Sequence, residues 1–460
     1  MDSDNSTFKK RMEKIPMIRT AQIALATLAF CVGAAHVDAE TIRGKVVDSS
    51  GKAMEGVMVS AFTKEFDQLK SISVVSQGDG SFSIDGLRHS RYYVRARLMG
   101  QLDVWKKKIP VGTDDLAFSM TPATGEDLED QRTADSGFNM LKWESRKDKE
   151  NYKMMCSYCH QTGSKGWRSP ELPVDWDTMI KRMDGFGGLY RHTQKTLVKR
   201  LVETYSEAAV AKWPAFVPPP APRGLATKAK ITEWDMGNKY KVMVHDLELG
   251  PDGLIYAVDM ARNAVVSLDP KSGKREEYRF PGKYRGPHSI ELANDGSMWI
   301  TLCKSGEMGR FDLETKKFTI VSSAESHERR GSYPHTLRIN PKDPEGLVWY
   351  TDAGRNSCFS LHPKTHKVKE YKLLRKDQVS GSGKGESRGI TPYGIDFSPV
   401  DGTVWYSKLN GNRIGRINPR STDGNIKEWS PPFRGPRRLH VDQKGIVWVP
   451  GFGSGVFGSF

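Results

Sequence analysis

Polar and apolar positions recur with a fixed pattern in the C-terminal half of the chain, after Lys228. Each unit begins with a polar side chain beside a short apolar strand, then a tight turn, then a strand that carries one Trp or Tyr. The spacing between equivalent positions is 43, 47, 58 and 44 residues. Units of this length with period-two strands and hairpin turns are typical of four-stranded β-propeller blades. The sequence therefore predicts an all-β propeller over residues 229–460, with five blades visible.

The ends of this repeat leave the number of blades open. The last unit stops at Phe460, inside its third strand. Ile231-Thr232-Glu233-Trp234 has the pattern of an outer strand without partners in its own blade. One hypothesis is that this strand completes the fifth blade and closes the ring; the alternative is a chain truncated before further blades. The longest spacing comes from a Gly- and Ser-rich insertion at Asp377 to Arg388, which predicts a mobile surface loop.

Short alternating strands separated by turn residues also fill residues 40–121. This pattern predicts a small β-sandwich. The order Gly44-x-Val46-x-Asp48, Asp79-Gly80-x-Phe82 and Tyr92-x-Val94 resembles the carboxypeptidase regulatory-like domain, a transthyretin-like sandwich. The resemblance implies a scaffold or interaction role rather than catalysis. Residues 122–136, which are polar and acidic, are expected to form a linker.

The hydrophobic period becomes helical between about Ser136 and Thr204, and this segment contains Cys156-Ser157-Tyr158-Cys159-His160. Two thiols three positions apart can both reach one porphyrin edge, and the following His is then delivered as the proximal iron ligand. The alternatives are a zinc site or a chance match, but no second Cys pair lies nearby to complete four zinc ligands. The motif predicts a covalently bound haem c on Cys156 and Cys159, with His160 as axial ligand. Residues 137–211 are thus predicted to form an α-helical cytochrome c-like domain, followed by a stiff Pro-rich linker at 212–228.

The segment Trp176 to Met183 has apolar residues at helical spacing and supplies two thioethers. A tryptophan-led helix before an Arg-Met pair and a Gly-rich turn resembles short single-haem cytochrome c domains, and this resemblance implies that Met183 is the distal iron ligand. Met179 is the fallback and His192 a weaker alternative. Ordinary core packing is the other explanation for either Met, because Met readily fills gaps.

The first 39 residues have the pattern of a secretory signal peptide. Basic residues precede an apolar run from Ile23 to Ala35, and Val37-Asp38-Ala39 is a small-x-small cleavage pattern. The run is too short for a comfortable membrane span, and no later stretch is apolar enough for one. We therefore expect an exported protein, periplasmic or secreted, with no transmembrane segment in the mature chain. Because haem attachment to CxxCH takes place outside the cytoplasmic membrane, export agrees with the motif.

The whole chain carries a formal net charge of +15. The signal segment holds five basic and four acidic side chains, so about +14 remains after cleavage. A basic surface suits an acidic redox partner or anionic lipid, whereas export makes nucleic acid an unlikely partner. Cleavage also removes Cys31. Cys303 and Cys358 then remain outside the haem motif, and they are expected to be two separate thiols rather than a disulfide, since they occupy non-equivalent points of neighbouring repeats.

The inner strands of the blades should place a ring of polar side chains around the propeller axis. This ring is a candidate pocket for a small-molecule or polymer ligand. Its side chains could equally staple neighbouring blades by hydrogen bonding. The predicted members are His245, His288, His335, Tyr393 and Arg437.

The repeats resemble the virginiamycin B lyase (streptogramin lyase) family, whose propeller has seven blades. In that family, histidines from successive blades and nearby acids hold Mg²⁺ and remove a proton during ring opening. His288 and His335 match the histidines and are the candidate catalytic residues. Gly286 and Tyr333 stand where carboxylates are wanted, and a hard Mg²⁺ ion is poorly held without them.

Three functions remain open at this point. The first is an exported c-type cytochrome that transfers single electrons and carries a ligand-binding propeller; it would be an oxidoreductase if the propeller held a redox cofactor. The second is a streptogramin B lyase-like C–O lyase, and the third is a cell-surface binding protein. Fold resemblance alone does not choose among them.

Overall fold

The computed structural model describes residues 40–65, 68–157, 161–168, 175–185, 194–237, 242–324, 331–374, 392–422 and 424–460. Along these residues the chain forms a β-sandwich, then a helical module, then a series of β-sheet blades. The predicted signal segment and the insertion at 377–388 lie outside the described residues.

The first module is the predicted sandwich of two sheets. One sheet has the order β4-β1-β7, and the other contains β6-β5-β2-β3. Alternate residues point inwards, as in β5, where Tyr92, Val94 and Ala96 are buried. The strands are β1 Glu40–Asp48, β2 Met58–Glu65, β3 Gln68–Val75, β4 Ser81–Leu87, β5 Arg91–Arg97, β6 Val104–Pro110 and β7 Leu116–Met120.

The sequence hypothesis for Ile231–Trp234 is wrong, because this strand does not complete the fifth blade. Strand β8, Lys230–Trp234, pairs antiparallel with β3 and adds a fifth strand to the larger sandwich sheet. The edge of β3 offers backbone groups that β8 satisfies. The Ser71 hydroxyl also donates to Glu233, and Lys70 lies over the Trp234 ring. A short strand with alternating side chains fits any open sheet edge, so its pattern alone could not identify the edge.

The second module is helical, with a core of its own. Its helices are α1 Gly125–Glu129, α2 Ala134–Phe138, α3 Arg146–Met155, α4 Lys165–Arg168, α5 Trp176–Gly185, α6 Gln194–Tyr205 and α7 Glu207–Val210. The buried side chains that these elements share are Phe138, Leu141, Tyr152, Trp176, Ile180, Leu197, Leu201 and Tyr205.

Two details of this module correct the sequence prediction. Helix α1 begins inside the segment 122–136, which was expected to be a linker. The helical period that begins at about Ser136 also does not continue as one helix to Cys156. Instead α2 ends at Phe138 and α3 starts afresh, because the Ser145 hydroxyl accepts a hydrogen bond from the Asp148 backbone N–H at 3.1 Å.

The Pro-rich segment 212–228 runs back along both upstream modules. The Arg132 guanidinium donates to the Pro214 carbonyl at 2.7 Å, and the Phe216 N–H donates to Glu129 at 2.8 Å. Further on, a 3-10 turn at Gly224–Lys228 is held by Gln77, whose amide donates to the Thr227 carbonyl. These contacts fix the path by which β8 reaches the sandwich.

The predicted blades are present as four four-stranded sheets and one three-stranded sheet. Within the described residues the fifth blade has no fourth strand. The first two blades are β9 Val244–Leu249, β10 Ile255–Asp259, β11 Ala264–Leu268, β12 Arg275–Arg279, and β13 Pro287–Leu292, β14 Met298–Leu302, β15 Glu307–Phe311, β16 Phe318–Ser322. The others are β17 Pro334–Ile339, β18 Val348–Asp352, β19 Ser357–Leu361, β20 Val368–Lys372; β21 Pro392–Phe397, β22 Val404–Lys408, β23 Arg413–Ile417, β24 Lys427–Trp429; and β25 His440–Val441, β26 Val447–Gly451, β27 Val456–Ser459.

Successive blades pack the second-strand aromatic of one blade against the inner strand of the next. Trp299 shares a buried cluster with Leu337 of the following blade, and Trp349 does so with Ile395. The equivalent positions at the two ends of the series are exposed: Leu247 of the first blade is 60% exposed, and Trp448 of the last is 38% exposed. The outer faces of the first and last blades therefore lack the apolar cover that the inner faces have, as far as the described residues extend.

Because one position is buried and the other exposed, the same Leu→Ala substitution should lower the free energy of unfolding by different amounts at the two positions. Leu337 is fully buried, so Leu337→Ala should lower the free energy of unfolding by about 2–5 kcal/mol. Leu247→Ala, at the same position of the first blade, should change it by only about 0.5 kcal/mol. Denaturant midpoints followed by tryptophan fluorescence measure both. Equal costs for the two variants would show that Leu247 is covered in the folded protein.

Candidate functional site

The first half of the CxxCH motif lies at the C-terminal end of α3. Cys156 caps this helix, and its backbone N–H donates to the Tyr152 carbonyl at 2.8 Å. Its side chain is half-buried and packs against the aromatic core of the helical module. Cys159 and His160 lie outside the described residues. Cys156 is thus at the margin of an apolar core.

The two candidate methionines belong to one helix. Trp176 and Ile180 turn one face of α5 into the core, whereas the Met179 side chain is exposed. Position 183 follows Trp176 by seven residues and Ile180 by three, so the helical period puts it on the same stripe as these two residues. The Met183 side chain and all of His192 lie outside what the structure describes.

An aromatic cluster surrounds the end of α3. The rings of Phe138 and Trp143 lie 5.9 and 5.0 Å from that of Tyr152. Burial raises the pKa of Tyr152 well above its ordinary value, so its hydroxyl stays protonated and meets the Thr162 hydroxyl at 3.3 Å. On this side Cys156 therefore lies beside aromatic rings, and cations lie over two of them: Lys149 and Lys153 over Phe138, and Arg200 over Trp143. The rings suit contact with an apolar macrocycle.

Helix α3 also contacts the fifth blade, through Glu150. This carboxylate accepts from the Ser454 hydroxyl at 3.0 Å and pairs with Arg146 at 2.9 Å. Arg434, which lies in the same loop region of the blade, donates to Asn151 at 3.0 Å. The helix that ends in Cys156 is thereby tied to the propeller. Sequence reasoning missed this contact because about 300 residues separate its partners and no local pattern marks them.

The axial ring forms at a β-bulge that recurs in the first four blades. In the second blade Pro287 pairs with Leu302 and Ile290 with Ile300, so one strand has an extra residue between the pairs. The same shift occurs between Pro334 and Leu337, and between Pro392 and Ile395. A bulge turns a side chain out of the regular alternation. It thus explains how one polar residue per blade reaches the axis.

The predicted ring residues lie next to one another in chain order. Ring centroids are 3.7 Å apart for His245 and His288, 4.2 Å for His288 and His335, and 4.1 Å for His335 and Tyr393. The Arg437 guanidinium lies 5.2 Å from the Tyr393 ring and donates to its hydroxyl at 3.0 Å. The structure therefore brings all five sequence-predicted residues together.

Hydrogen bonds between blades run through this ring. His245 Nδ1 lies 2.8 Å from the His288 carbonyl, and His288 Nδ1 lies 3.2 Å from the His335 carbonyl. Since a carbonyl oxygen can only accept, the Nδ1–H of each ring donates. These bonds are the staple that the sequence offered as an alternative to a ligand pocket. A ligand at the axis would therefore meet the opposite, Nε2 edges of these rings.

A second set of hydrogen bonds links neighbouring blades beside the first, and a short sequence pattern marks the residues that donate them. The hydroxyls of Thr301, Thr351 and Ser407 donate to the carbonyls of His335, Tyr393 and Arg437 in the next blade, at 2.8, 2.9 and 2.5 Å. Each hydroxyl comes two residues after the blade tryptophan, so the pattern Trp-x-Thr/Ser marks it.

The imidazoles of the ring are held in the neutral state. Burial lowers the pKa of His288 to about 2, and the charge of Arg438 and the neighbouring His245 add to the effect. Burial likewise lowers the pKa of His335 well below its ordinary value, and its Nε2 has no hydrogen-bond partner among the described residues. At neutral pH these rings can accept a hydrogen bond but carry no charge.

Deeper along the inner strands, charges pair across blades. Asp246 accepts from the Ser289 hydroxyl at 2.8 Å and from Arg438 at 3.1 Å. Arg338 pairs with Glu291 at 3.0 Å. Burial nevertheless raises the pKa of Glu291 to about 7, more than Arg338 lowers it. The carboxylates near the axis are thus committed to pairs within the propeller.

A magnesium site is not assembled by the residues that the structure describes, since they contain no group of three or more His, Cys, Asp or Glu side chains disposed to hold a metal ion. The neighbours of the axial histidines agree with this. Gly286 and Tyr333 bring no carboxylate, and Gly286 accepts the Cys303 thiol through its carbonyl at 3.2 Å. Cys303 and Cys358 are both buried and free, which confirms the prediction of two separate thiols.

Comparison with known proteins supports the first module most directly. Residues 41–121 match the family model of the carboxypeptidase regulatory-like domain, which confirms the resemblance seen in the sequence. No curated protein matches the chain. In the described part of the chain, no helix is both long and apolar enough to cross a membrane.

Solved propeller-type structures resemble about half of the chain. The virginiamycin B lyase of Staphylococcus aureus is 20% identical, with 48% of this chain and 71% of that chain covered and a TM-score of 0.39. A streptogramin B lyase structure is 22% identical, with 50% and 72% covered and a TM-score of 0.41. A gluconolactonase from Xanthomonas campestris is 15% identical, with 47% and 75% covered and a TM-score of 0.35.

The neutral state of the axial histidines predicts a pH effect on stability. In the unfolded chain a His takes up a proton below about pH 6.5, whereas folded His288 does so only near pH 2. The unfolded state thus binds more protons in this window, and the stabilisation by neutral His288 is lost as the pH falls below about 6.5. His288→Phe should flatten the pH profile of the unfolding free energy by up to about 1.4 kcal/mol per pH unit between pH 6.5 and 5. Parallel profiles for the two proteins would contradict the buried neutral state.

Proposed function

We propose that this protein is an exported one-electron carrier with a covalently bound haem c. Cys156 and Cys159 would form the two thioether bonds, and His160 would be the proximal ligand. The supporting observation is the position of Cys156. It caps α3 at the margin of a compact helical module with a buried aromatic core. When bound, the haem supplies a single-electron couple, and the chain holds and tunes it.

Helix α5 would supply the distal ligand of the haem iron, and we propose that this ligand is Met183. The helical period places position 183 on the stripe of Trp176 and Ile180, which faces the core, whereas the Met179 side chain is exposed. A thioether at this position raises the haem potential. His192 remains the weaker alternative.

Other features of the chain support proposals for the location of this carrier, its redox partner and the ligand of its propeller. The N-terminal signal pattern supports export to the periplasm or beyond. The basic mature chain favours an acidic redox partner, because opposite charges speed the encounter of electron-transfer proteins. The propeller would bind a small-molecule or polymer ligand at its axial ring, and the contact of Glu150 with the fifth blade would keep that ring at a fixed distance from the haem module.

The distal assignment has a direct test. Met183→Ala should lower the haem reduction potential and abolish the far-red sulfur-to-iron absorption while covalent attachment persists, whereas Cys159→Ser should weaken attachment itself. Potentiometric titration of the purified proteins measures the first effect, and denaturing gels stained for haem measure the second. Met179→Ala, one turn earlier on α5, is the matched control and should leave both properties unchanged. If Met183→Ala behaves like this control, the distal ligand lies elsewhere.

A second candidate function is a streptogramin B lyase-like C–O lyase, and one observation favours it. His335 is neutral at pH 7, and its buried Nε2 has no hydrogen-bond partner in the described part of the chain, so the lone pair of this nitrogen is not engaged there. The lowered pKa of His335 also makes it a weak base. The lack of carboxylates at Gly286 and Tyr333 weighs against a bound Mg²⁺ ion.

If this candidate is right, the protein opens the ring of a streptogramin B substrate in the presence of Mg²⁺. Chromatography of the product measures this reaction. His335→Ala should abolish it, because the proton acceptor is lost. The haem-free variant Cys156→Ser/Cys159→Ser should retain it, since the lyase would not need the haem. No ring opening by the wild-type protein, or equal turnover by His335→Ala, removes this candidate.

A further inference from the structure

A cavity of about 310 Å³ lies where the sandwich meets the first blade. The sandwich contributes its β2 and β3 strands and the residues just after β4; the first blade contributes the turn between β11 and β12. Trp234 and Asp235, at the end of β8, close it from a third side. Ligand sites occur preferentially at such junctions between modules, and this volume is at the lower end of their usual range.

The charges around the cavity are mostly positive. Lys70 and Arg88 come from the sandwich and Lys271 from the blade. His89 adds an imidazole, and Asp235 is the only carboxylate among the lining residues, where it accepts the Gly237 backbone N–H at 3.0 Å. Arg88 and Lys271 belong to different modules and line the same space, so an anion bound between them would reduce their mutual repulsion.

The cationic side chains project from rigid supports. The Tyr92 hydroxyl accepts the backbone N–H groups of Arg88 and His89 at 2.9 and 3.1 Å, which fixes that corner of the sandwich. The blade turn is fixed by Asp269, which accepts the Lys271 N–H at 2.8 Å. The Arg88 guanidinium donates one bond across the junction, to the Lys271 carbonyl at 2.9 Å.

The cavity floor is apolar. It consists of Ala61, Ile72 and Tyr92 of the sandwich, all buried, and the indole of Trp234 lines the side. A polar rim over an apolar and aromatic floor suits a molecule that has both a charged group and an apolar body. Inorganic anions alone would leave the floor unused.

We propose that this cavity binds a small organic anion, a carboxylate or a phosphate ester with an apolar body. Its charged group meets Arg88 and Lys271, and its apolar body rests on Tyr92 and Trp234. Because these residues belong to different modules, the bound anion bridges the sandwich and the propeller. This site is remote in sequence from the CxxCH motif and from the axial ring, so the proposal stands apart from the haem function.

The test uses the full mature chain and three probes in isothermal titration calorimetry: phenyl phosphate, benzoate and, as the neutral analogue, benzyl alcohol. We expect saturable binding of at least one anion, tighter than benzyl alcohol by about tenfold or more and weaker at high salt. The better of the two anions identifies the phosphate or the carboxylate as the natural group.

Variants then locate the binding. Arg88→Ala and Lys271→Ala should each weaken the binding of the anion by about tenfold or more. The matched control is Lys364→Ala, since Lys364 is the exposed lysine at the same position of the corresponding turn in the third blade. The proposal is overturned if no anion binds saturably, if benzyl alcohol binds as tightly, or if Lys364→Ala weakens binding as much as Lys271→Ala does. The last two results would indicate apolar binding and general attraction to a basic surface.

Discussion

The stacking of one blade on the next is the constraint on which the larger half of this protein depends. A four-stranded sheet cannot bury both of its faces alone, so a large aromatic side chain of one blade packs against an aliphatic side chain of the next. The β-bulge, the imidazole-to-carbonyl bonds and the Thr or Ser staples all lie at the inner end of this contact. Blade packing therefore determines the geometry of the axial ring. Part of the hydrogen-bonding capacity of the ring side chains is already used in bonds between blades.

The helical module depends on that scaffold at one point. Glu150 and Asn151 bind the loop region of the fifth blade that contains Arg434 and Ser454, and α3 continues from there to Cys156. Together with β8, which joins the sandwich sheet, this contact makes the upstream modules and the propeller one connected structure. A haem bound as proposed would thereby keep a constant orientation towards the propeller.

Much of the fold could be predicted from the sequence, and what could not has a physical reason. Local periodicity predicted the sandwich strands, the helices around Cys156 and the five blades. Strands bury every second residue and helices every third or fourth, so both patterns are visible in the order of apolar and polar residues. The partner of β8 was not predictable, since Ile231-Thr232-Glu233-Trp234 suits either the fifth blade or the edge of β3. Thr301, Thr351 and Ser407 could have been found from their fixed distance to the blade tryptophan. The contact of Glu150 and Arg434 with the partner module could not have been found in this way, because it depends on how whole modules pack.

For the candidate site, the repeat predicted the ring of His245, His288, His335, Tyr393 and Arg437. The choice between hydrogen bonding of blades and a ligand pocket required the observed hydrogen bonds.

The central claim is that one haem is tethered through Cys156 and Cys159, and the most direct measurement is the intact mass of the exported protein taken together with its reduced-minus-oxidised visible spectrum. The account predicts added mass equal to one haem on a chain cleaved near Ala39, and the sharp bands of a c-type haem on reduction. A colourless protein of unmodified mass, produced in cells that possess the haem-attachment machinery, would contradict it.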